Sequence, residues 1–325
     1  MAKESIQSLD RYRSRAVYAA LTANVCIACI KWLAFFLSGS TVVYSEALHS
    51  SADTFNSVFL LIGIWSSSKP ADNEHPYGYG KDAYFWALIA SIFMLGVIST
   101  TSVTTGYESA VAGRPIADEA LAIGGLLISI LLESIAVYIA VTGLIRSVSI
   151  QSGKPASYKH LIQAFHKAES PALKLVMLED VLSLGGALIA LVAVLLVRSL
   201  HIHSIDGVGA LLIGLLLGGM AIILAYENRS KLIGASATDD IERNIYVTTM
   251  NYPPVRDIVD MKTMVMGPNR VIAHLRIELD PTTSVAQMDK ITVKLEKLII
   301  KNVPQVTDCF IEVVADRDDP EQRYE

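Results

Sequence analysis

Glu46, His49 and Asp53 interrupt an apolar run in the stretch YSEALHSSADTFNSV, residues 44–58. On a helix His49 and Asp53 stand one turn apart and Glu46 precedes His49 by three residues, so all three project from one face. A charge near the centre of a bilayer costs about 2.5–3.5 kcal/mol on insertion scales, so such groups face a cavity or one another and mark ion or proton paths. For Glu46 the alternative is simple hydration at the outer interface. A second acidic island, Glu179 and Asp180 in VMLEDVLSLGG, and a single acid, Glu133 in ISILLESIAV, lie in other apolar runs. Successive helical residues point about 100° apart, so Glu179 and Asp180 cannot both aim at one centre, and one of them is expected to support the other. Glu133 is open to three readings: a ligand, a proton carrier, or the partner of a polar group on another helix.

One imidazole with two or three carboxylates suits a divalent cation, with borderline Zn2+ and harder Mn2+ or Fe2+ all compatible. Bound metal requires a neutral imidazole. An unperturbed histidine titrates near about pH 6.5, so protons and metal should compete for this site. That competition is the physical basis of antiport.

Positioning such groups requires helices that span a bilayer, and the composition supplies them. The 325 residues are 52% hydrophobic and only 18% charged, with a mean hydropathy of +0.43, which is too apolar for an ordinary soluble domain. Apolar runs near or above the length of about 20 residues needed to cross a bilayer occur at 16–37, 42–67, 84–111, 119–144, 172–197 and 207–226. These predict six spans. The third is thinned by Ser99, Thr100, Thr101, Ser102, Thr104 and Thr105, whose hydroxyls can bond back to their own helix, and it is expected to face neighbours more than lipid. Lys and Arg gather before the first span and in the second and fourth loops, placing both termini in the cytoplasm. The first 15 residues mix acids with bases and carry no cleavable signal.

From about residue 227 the sequence turns polar, ENRSKLIGASATDDIERNIYV. Thr238, Asp239 and Asp240 predict a helix start, with acids at its positive end. Residues 257–265 and 271–279 read as strands split by GPN, residues 285–300 as a helix, and residues 306–314 as a third strand. The expected fold is therefore an all-α six-helix transmembrane domain (16–226) after a cytoplasmic segment (1–15), followed by a cytoplasmic α+β domain of αββαβ order, ferredoxin-like, over 227–325. A net charge of −5 with no basic stripe argues against nucleic acid. Cys26 and Cys29 are expected to be packed within the first span, and Cys309 has no partner for a disulfide. His201, His203 and Asp206 read as an exposed linker, and His160 and His166 as solvated.

Six spans, HSSAD in the second, PADNEHPYGYGKDA directly after it and the αββαβ tail together resemble the cation diffusion facilitators, the ZnT zinc-transporter family. The resemblance implies a Zn2+/H+ antiporter that exports metal from the cytoplasm, with Mn2+, Fe2+, Co2+ or Cd2+ as alternative cargo, embedded in a lipid bilayer as a homodimer, here in a prokaryotic cell membrane. It implies metal ligands at His49, Asp53 and Asp180. The family's fourth position holds Val176, so Glu179, Glu133 or water must complete the set. The wording LED resembles a divergent branch of the family. A second family site in the loop matches Asp72 and His75, with Tyr79 where some members carry another His. The same loop reads equally as a structural anchor built on Gly, Pro and aromatic rings. Lys81 matches a basic residue that interlocks protomers in some members, but Gly234 stands where its acidic partner is expected. His274 alone remains of the tail's regulatory histidines and reads as a packed or solvated strand residue. A membrane metallohydrolase is the competing class, without an HExxH to support it. A non-transporting regulator is the third, resting on Val176.

Overall fold

The computed structural model describes residues 21–152 and 171–314. The expectations for the N-terminal segment 1–15, and for His160 and His166, lie outside these residues. Six long helices come first: α1 (Leu21–Ser38), α2 (Thr41–Ser67), α3 (Asp82–Ala112), α4 (Glu119–Ser152), α5 (Pro171–Leu200) and α6 (Ser204–Ile233). Five of them are long and apolar enough to cross a membrane; α2 has the length, 27 residues, but not the hydropathy. Its polar residues answer for this, and several of its hydroxyls bond back to the helix itself. Ser51 Oγ donates to the carbonyl of Ala47 (2.8 Å), Thr54 Oγ1 to that of Ser50 (2.9 Å) and Ser57 Oγ to that of Asp53 (3.0 Å). The sixth apolar run stops at 226, yet its helix continues through ENRSKL to Ile233.

One π-helical stretch, Met94–Ser99, interrupts α3. Its hydroxyls behave in two ways: Thr104 Oγ1 bonds back to the carbonyl of Thr100 (2.8 Å), while Ser99 Oγ reaches the carbonyl of Gly214 on α6 (2.8 Å). A Cβ on Gly207 would lie 2.1 Å from the backbone nitrogen of Ala110, so α3 and α6 meet backbone to backbone, as small-residue interfaces in membranes allow. Val42, Val43, Ala190, Val194, Val197, Ala210, Ile213 and Leu217 form the buried centre of the helical unit. Cys26 and Cys29 do not share it. Both are exposed, because the buried edge of α1 runs through Ala28, Lys31 and Ala34 instead.

Residues 62–88 and the chain from Tyr226 onward make the second compact unit. Its domain holds α7 (Asp239–Met250), β1 (Val255–Gly267), β2 (Arg270–Leu279), α8 (Val285–Asn302) and β3 (Val306–Val314). The sheet order is β1-β2-β3, with β1 antiparallel and β3 parallel to β2. A parallel return needs a crossover, which α8 supplies. Asn269 takes the left-handed conformation in the GPN turn (φ 58°), which Asn tolerates well. Ser284 and Gln287 form a capping box at the start of α8. Along β2, Ala273, Leu275, Ile277 and Leu279 point into a core shared with Ile245, Leu295 and Ile299, while His274, Arg276 and Glu278 take the opposite face. Cys309 joins that core, and burial pushes its thiol up to about 12.

Candidate functional site

The helix that carries most of the predicted chemistry begins at a cap that the sequence reading missed. Asp206 is buried, not part of an exposed linker. Its carboxylate accepts hydrogen bonds from Ser40 Oγ (2.6 Å) and from the backbone N–H groups of Thr41 (2.5 Å) and Val42 (3.3 Å). Those N–H groups start α2 and have no partner within it, and the negative charge also suits the positive end of the helix dipole. Of its neighbours, His201 is exposed and left-handed at the end of α5, while His203 is part-buried.

With α2 thus anchored, His49, Asp53 and Glu179 line one partly open pocket between the helices, with Met94, Leu182, Gly186, Ile213, Leu216, Leu217 and Met220 around it. The walls come from α2, α3, α5 and α6. His49 Nε2 stands 3.9 Å from Asp53 Oδ2, and Asn56 Nδ2 donates to Glu179 Oε1 from across the helix pair (3.5 Å). Asp180 is half-buried and does not line this space, whereas its neighbour Glu179 does. Among the described residues no three His, Cys, Asp or Glu side chains converge with metal-ligand spacing. Val176 occupies α5 one turn before Asp180.

A second cluster, next to the first, contains a residue that the sequence reading passed over. Lys31 on α1 is 1% exposed, and its Nζ lies 2.6 Å from Glu46 Oε2 and 2.6 Å from Glu133 Oε1. Ser183 Oγ on α5 also donates to Glu133 Oε1 (3.2 Å). Glu46 is therefore sealed and paired instead of hydrated at an interface, and of the three readings of Glu133 the geometry shows the partner of a polar group on another helix. A signal for this was present: a lysine inside the apolar run CIACIKWLAFF needs an intramembrane counter-ion, and Glu46 and Glu133 were on hand. Asn24 on α1 donates to Ser57 Oγ on α2 (3.3 Å).

The loop after α2 brings Asp72, His75 and Tyr79 together differently. Asp72 Oδ1 accepts from the backbone N–H groups of His75 (2.7 Å) and Glu74 (3.0 Å), and Oδ2 from the Tyr79 hydroxyl (2.7 Å). The His75 ring lies against that of Tyr79, with centroids 4.2 Å apart. The Tyr79 hydroxyl, aided by these N–H groups, holds the Asp72 carboxyl below the usual carboxylate range, and the same bond pushes Tyr79 up to about 12. Lys81 Nζ donates to the carbonyl of Leu232 (3.2 Å), capping the last turn of α6 in a chain that has Gly234 where an acid was expected.

The sequence matches the family described as Cation efflux transmembrane domain over residues 17–233, and that described as Cation efflux protein, cytoplasmic domain, over residues 237–314. Metal tolerance protein C4 of Arabidopsis thaliana is 29% identical over 266 residues, which is 81% of this chain and 56% of that protein. Proton-coupled zinc antiporter SLC30A9, mitochondrial, of Homo sapiens is 29% identical over 268 residues, 82% of this chain and 46% of that protein. The chain thus spans about half the length of these two relatives. Cation-efflux pump FieF of Escherichia fergusonii is 26% identical over 301 residues and is matched over 91% of its length, 92% of this chain. Among solved structures, a nickel form of the MamM CTD is 16% identical, with a TM-score of 0.24 over 25% of this chain and 100% of that one.

Proposed function

Because this chain belongs to the cation efflux family, the cation diffusion facilitators, we propose that it is a secondary-active carrier that exchanges a divalent cation, zinc first, for protons. The observation that carries this reading is the pocket inside the helical unit that His49, Asp53 and Glu179 all line. An imidazole and two carboxylates are hard-to-borderline donors suited to a dication, and each must be free of protons to bind it. Metal arriving from one side then displaces protons, and protons arriving from the other displace metal. In this reading Glu179 supplies the donor that Val176 lacks. Asp180 joins the set when α5 turns, since the two acids cannot face the cation together.

The packing supports alternating access. Polar contacts tie α1, α2, α4 and α5 together through Lys31, Glu46, Glu133 and Ser183, while α3 and α6 are joined by direct backbone contact. Two groups of helices that are each internally tied, with the cation space between them, are suited to rocking about it. In this reading α2 crosses the membrane as a sixth span, its polar face turned inward. Both termini lie in the cytoplasm of a prokaryotic cell, and the αββαβ domain pairs with a second copy. The similarity to a relative named as a proton-coupled zinc antiporter supports zinc as first cargo.

Purified full-length protein in liposomes with a trapped zinc-sensitive dye tests the proposal. Zinc should enter at a rate that an imposed pH gradient accelerates, and replacing Zn2+ with Mn2+, Fe2+, Co2+ or Cd2+ ranks the cargo. If none of these ions moves at any gradient, the carrier reading falls.

A further inference from the structure

His49 divides its two ring nitrogens between two environments. Nε2 faces Asp53 Oδ2 (3.9 Å) in the pocket, and Nδ1 faces Glu46 Oε1 (3.8 Å) in the buried cluster behind it. Glu46 Oε1 and His49 Nδ1 are both buried, and neither has a hydrogen-bond partner among the described residues. The other oxygen of Glu46, Oε2, is held by Lys31 at 2.6 Å. On the far side stands Gly186, where a Cβ would lie 2.5 Å from Glu46 Oε1 and 3.5 Å from His49 Nδ1. The missing side chain on α5 leaves room for a carboxylate and an imidazole edge to approach each other.

We infer that Lys31, Glu46 and Glu133 form a positioning relay that fixes the orientation and tautomer of His49, turning Nδ1–H toward Glu46 Oε1 and leaving Nε2 bare toward the cation. Ligating histidines generally give their second ring N–H to a carboxylate or carbonyl, which sets the tautomer and strengthens the donor. The Lys31 ammonium locks the rotamer of Glu46 by holding Oε2, so that Oε1 is the oxygen presented to His49. Glu133 has its own part. It holds the Lys31 ammonium from a second side at 2.6 Å, so the group that fixes Glu46 is itself fixed. Lysine here takes the place of a cation, so two acids in the membrane are withdrawn from the cargo. The inference rests on the reading of the pocket lined by His49, Asp53 and Glu179 as the metal path.

The test uses the full-length protein in nanodiscs, with histidines labelled by nitrogen-15 and His49 assigned by comparison with His49→Gln. In the metal-free wild type, His49 should appear as a single tautomer protonated at Nδ1. The triple variant Lys31→Met/Glu46→Gln/Glu133→Gln removes the charges without stranding one, because breaking a buried cluster one partner at a time destabilises the fold. It should lose the single tautomer, and its zinc affinity by calorimetry should fall about 10–100-fold. Gly186→Ala reaches the relay through one methyl without changing any charge, and should shift both readouts in the same direction. Lys31→Arg, which keeps both ion pairs, should retain wild-type values. Wild-type tautomer and affinity in both the triple variant and Gly186→Ala overturn the relay while leaving the carrier standing. A wild type that binds no zinc, yet shows the single tautomer and loses it in the triple variant, upholds the relay and removes zinc as the cargo.

Discussion

His49 with Asp53 in α2, and His75 with Asp72 in the loop that follows, are two histidine–aspartate pairs with almost the same closest approach, 3.9 Å and 3.7 Å. Their surroundings differ. Asp72 is exposed, and both of its oxygens already serve the turn, which closes on it through two backbone N–H groups and the Tyr79 hydroxyl. The α2 pair lines a pocket between the helices together with Glu179. A cation arriving at the loop would compete with three donors already on Asp72; at the α2 pair, among the described residues, no hydrogen bond occupies the Asp53 carboxylate. Residue types are the same in the two places and their spacing differs by one residue, and the availability of oxygen lone pairs separates them. Asp206 and Glu46 belong with Asp72 in this respect, since each is held by a partner that the fold needs.

The sharpest way to break that contrast is to remove one member from each place. His49→Ala, Asp53→Ala or Asp180→Ala should bring zinc flux in liposomes down to the protein-free leak, because a site with so few donors does not survive losing one. Wild-type flux in all three would dissolve the distinction. Next in size, Glu179→Gln should weaken zinc binding about 10–100-fold by calorimetry. If it does not, water fills the place left by Val176.

Asp206→Ala is expected to act on stability instead of affinity. Uncapping buried N–H groups at the start of α2 should cost about 2 kcal/mol and lower the melting temperature, while the surviving folded protein binds zinc as before. Asp72→Ala or His75→Ala should leave zinc affinity and flux within about twofold, the range of substitutions at exposed sites. A larger loss of affinity would make the loop a metal site after all.

The smallest effect is a shift in titration. The Tyr79 hydroxyl lowers the Asp72 pKa, so the support this bond gives the loop is complete above the ordinary aspartate value and is lost as pH falls through the lowered one. In Tyr79→Phe the Asp72 carboxyl should titrate nearer the ordinary value, as read by carbon-13 NMR, and the loop should loosen at a higher pH. An unchanged titration would mean that the backbone N–H groups alone hold the carboxylate.

Much of this was legible along the chain. The six long helices fall where apolar density predicts them, and the αββαβ order follows from alternation and turn residues, with only strand and helix ends displaced by a few positions. The spacing of His49 and Asp53 placed them on one face of α2. Lys31 was not read because a single basic residue inside a strongly apolar stretch leaves the periodicity unchanged, although the cost of burying it demanded a partner. Cys26 and Cys29 were assigned to a packed face because their spacing marks a shared side of the helix, and spacing does not say which side is buried.

What the sequence determined by itself was local and additive: which stretches are apolar enough for helices, which residues share a face, and that acids and an imidazole sit where a lipid environment tolerates them only with a reason. Which of those groups are left with free lone pairs was decided by tertiary structure alone. Lys31, Glu46 and Glu133 come from three helices, and Asp206 reaches the start of α2 from more than 160 residues away. Burial makes an unpaired charge costly, so the fold pairs the charges it can, and the groups around the pocket whose lone pairs are not fully taken up, among the described residues, are the ones available to a travelling ion.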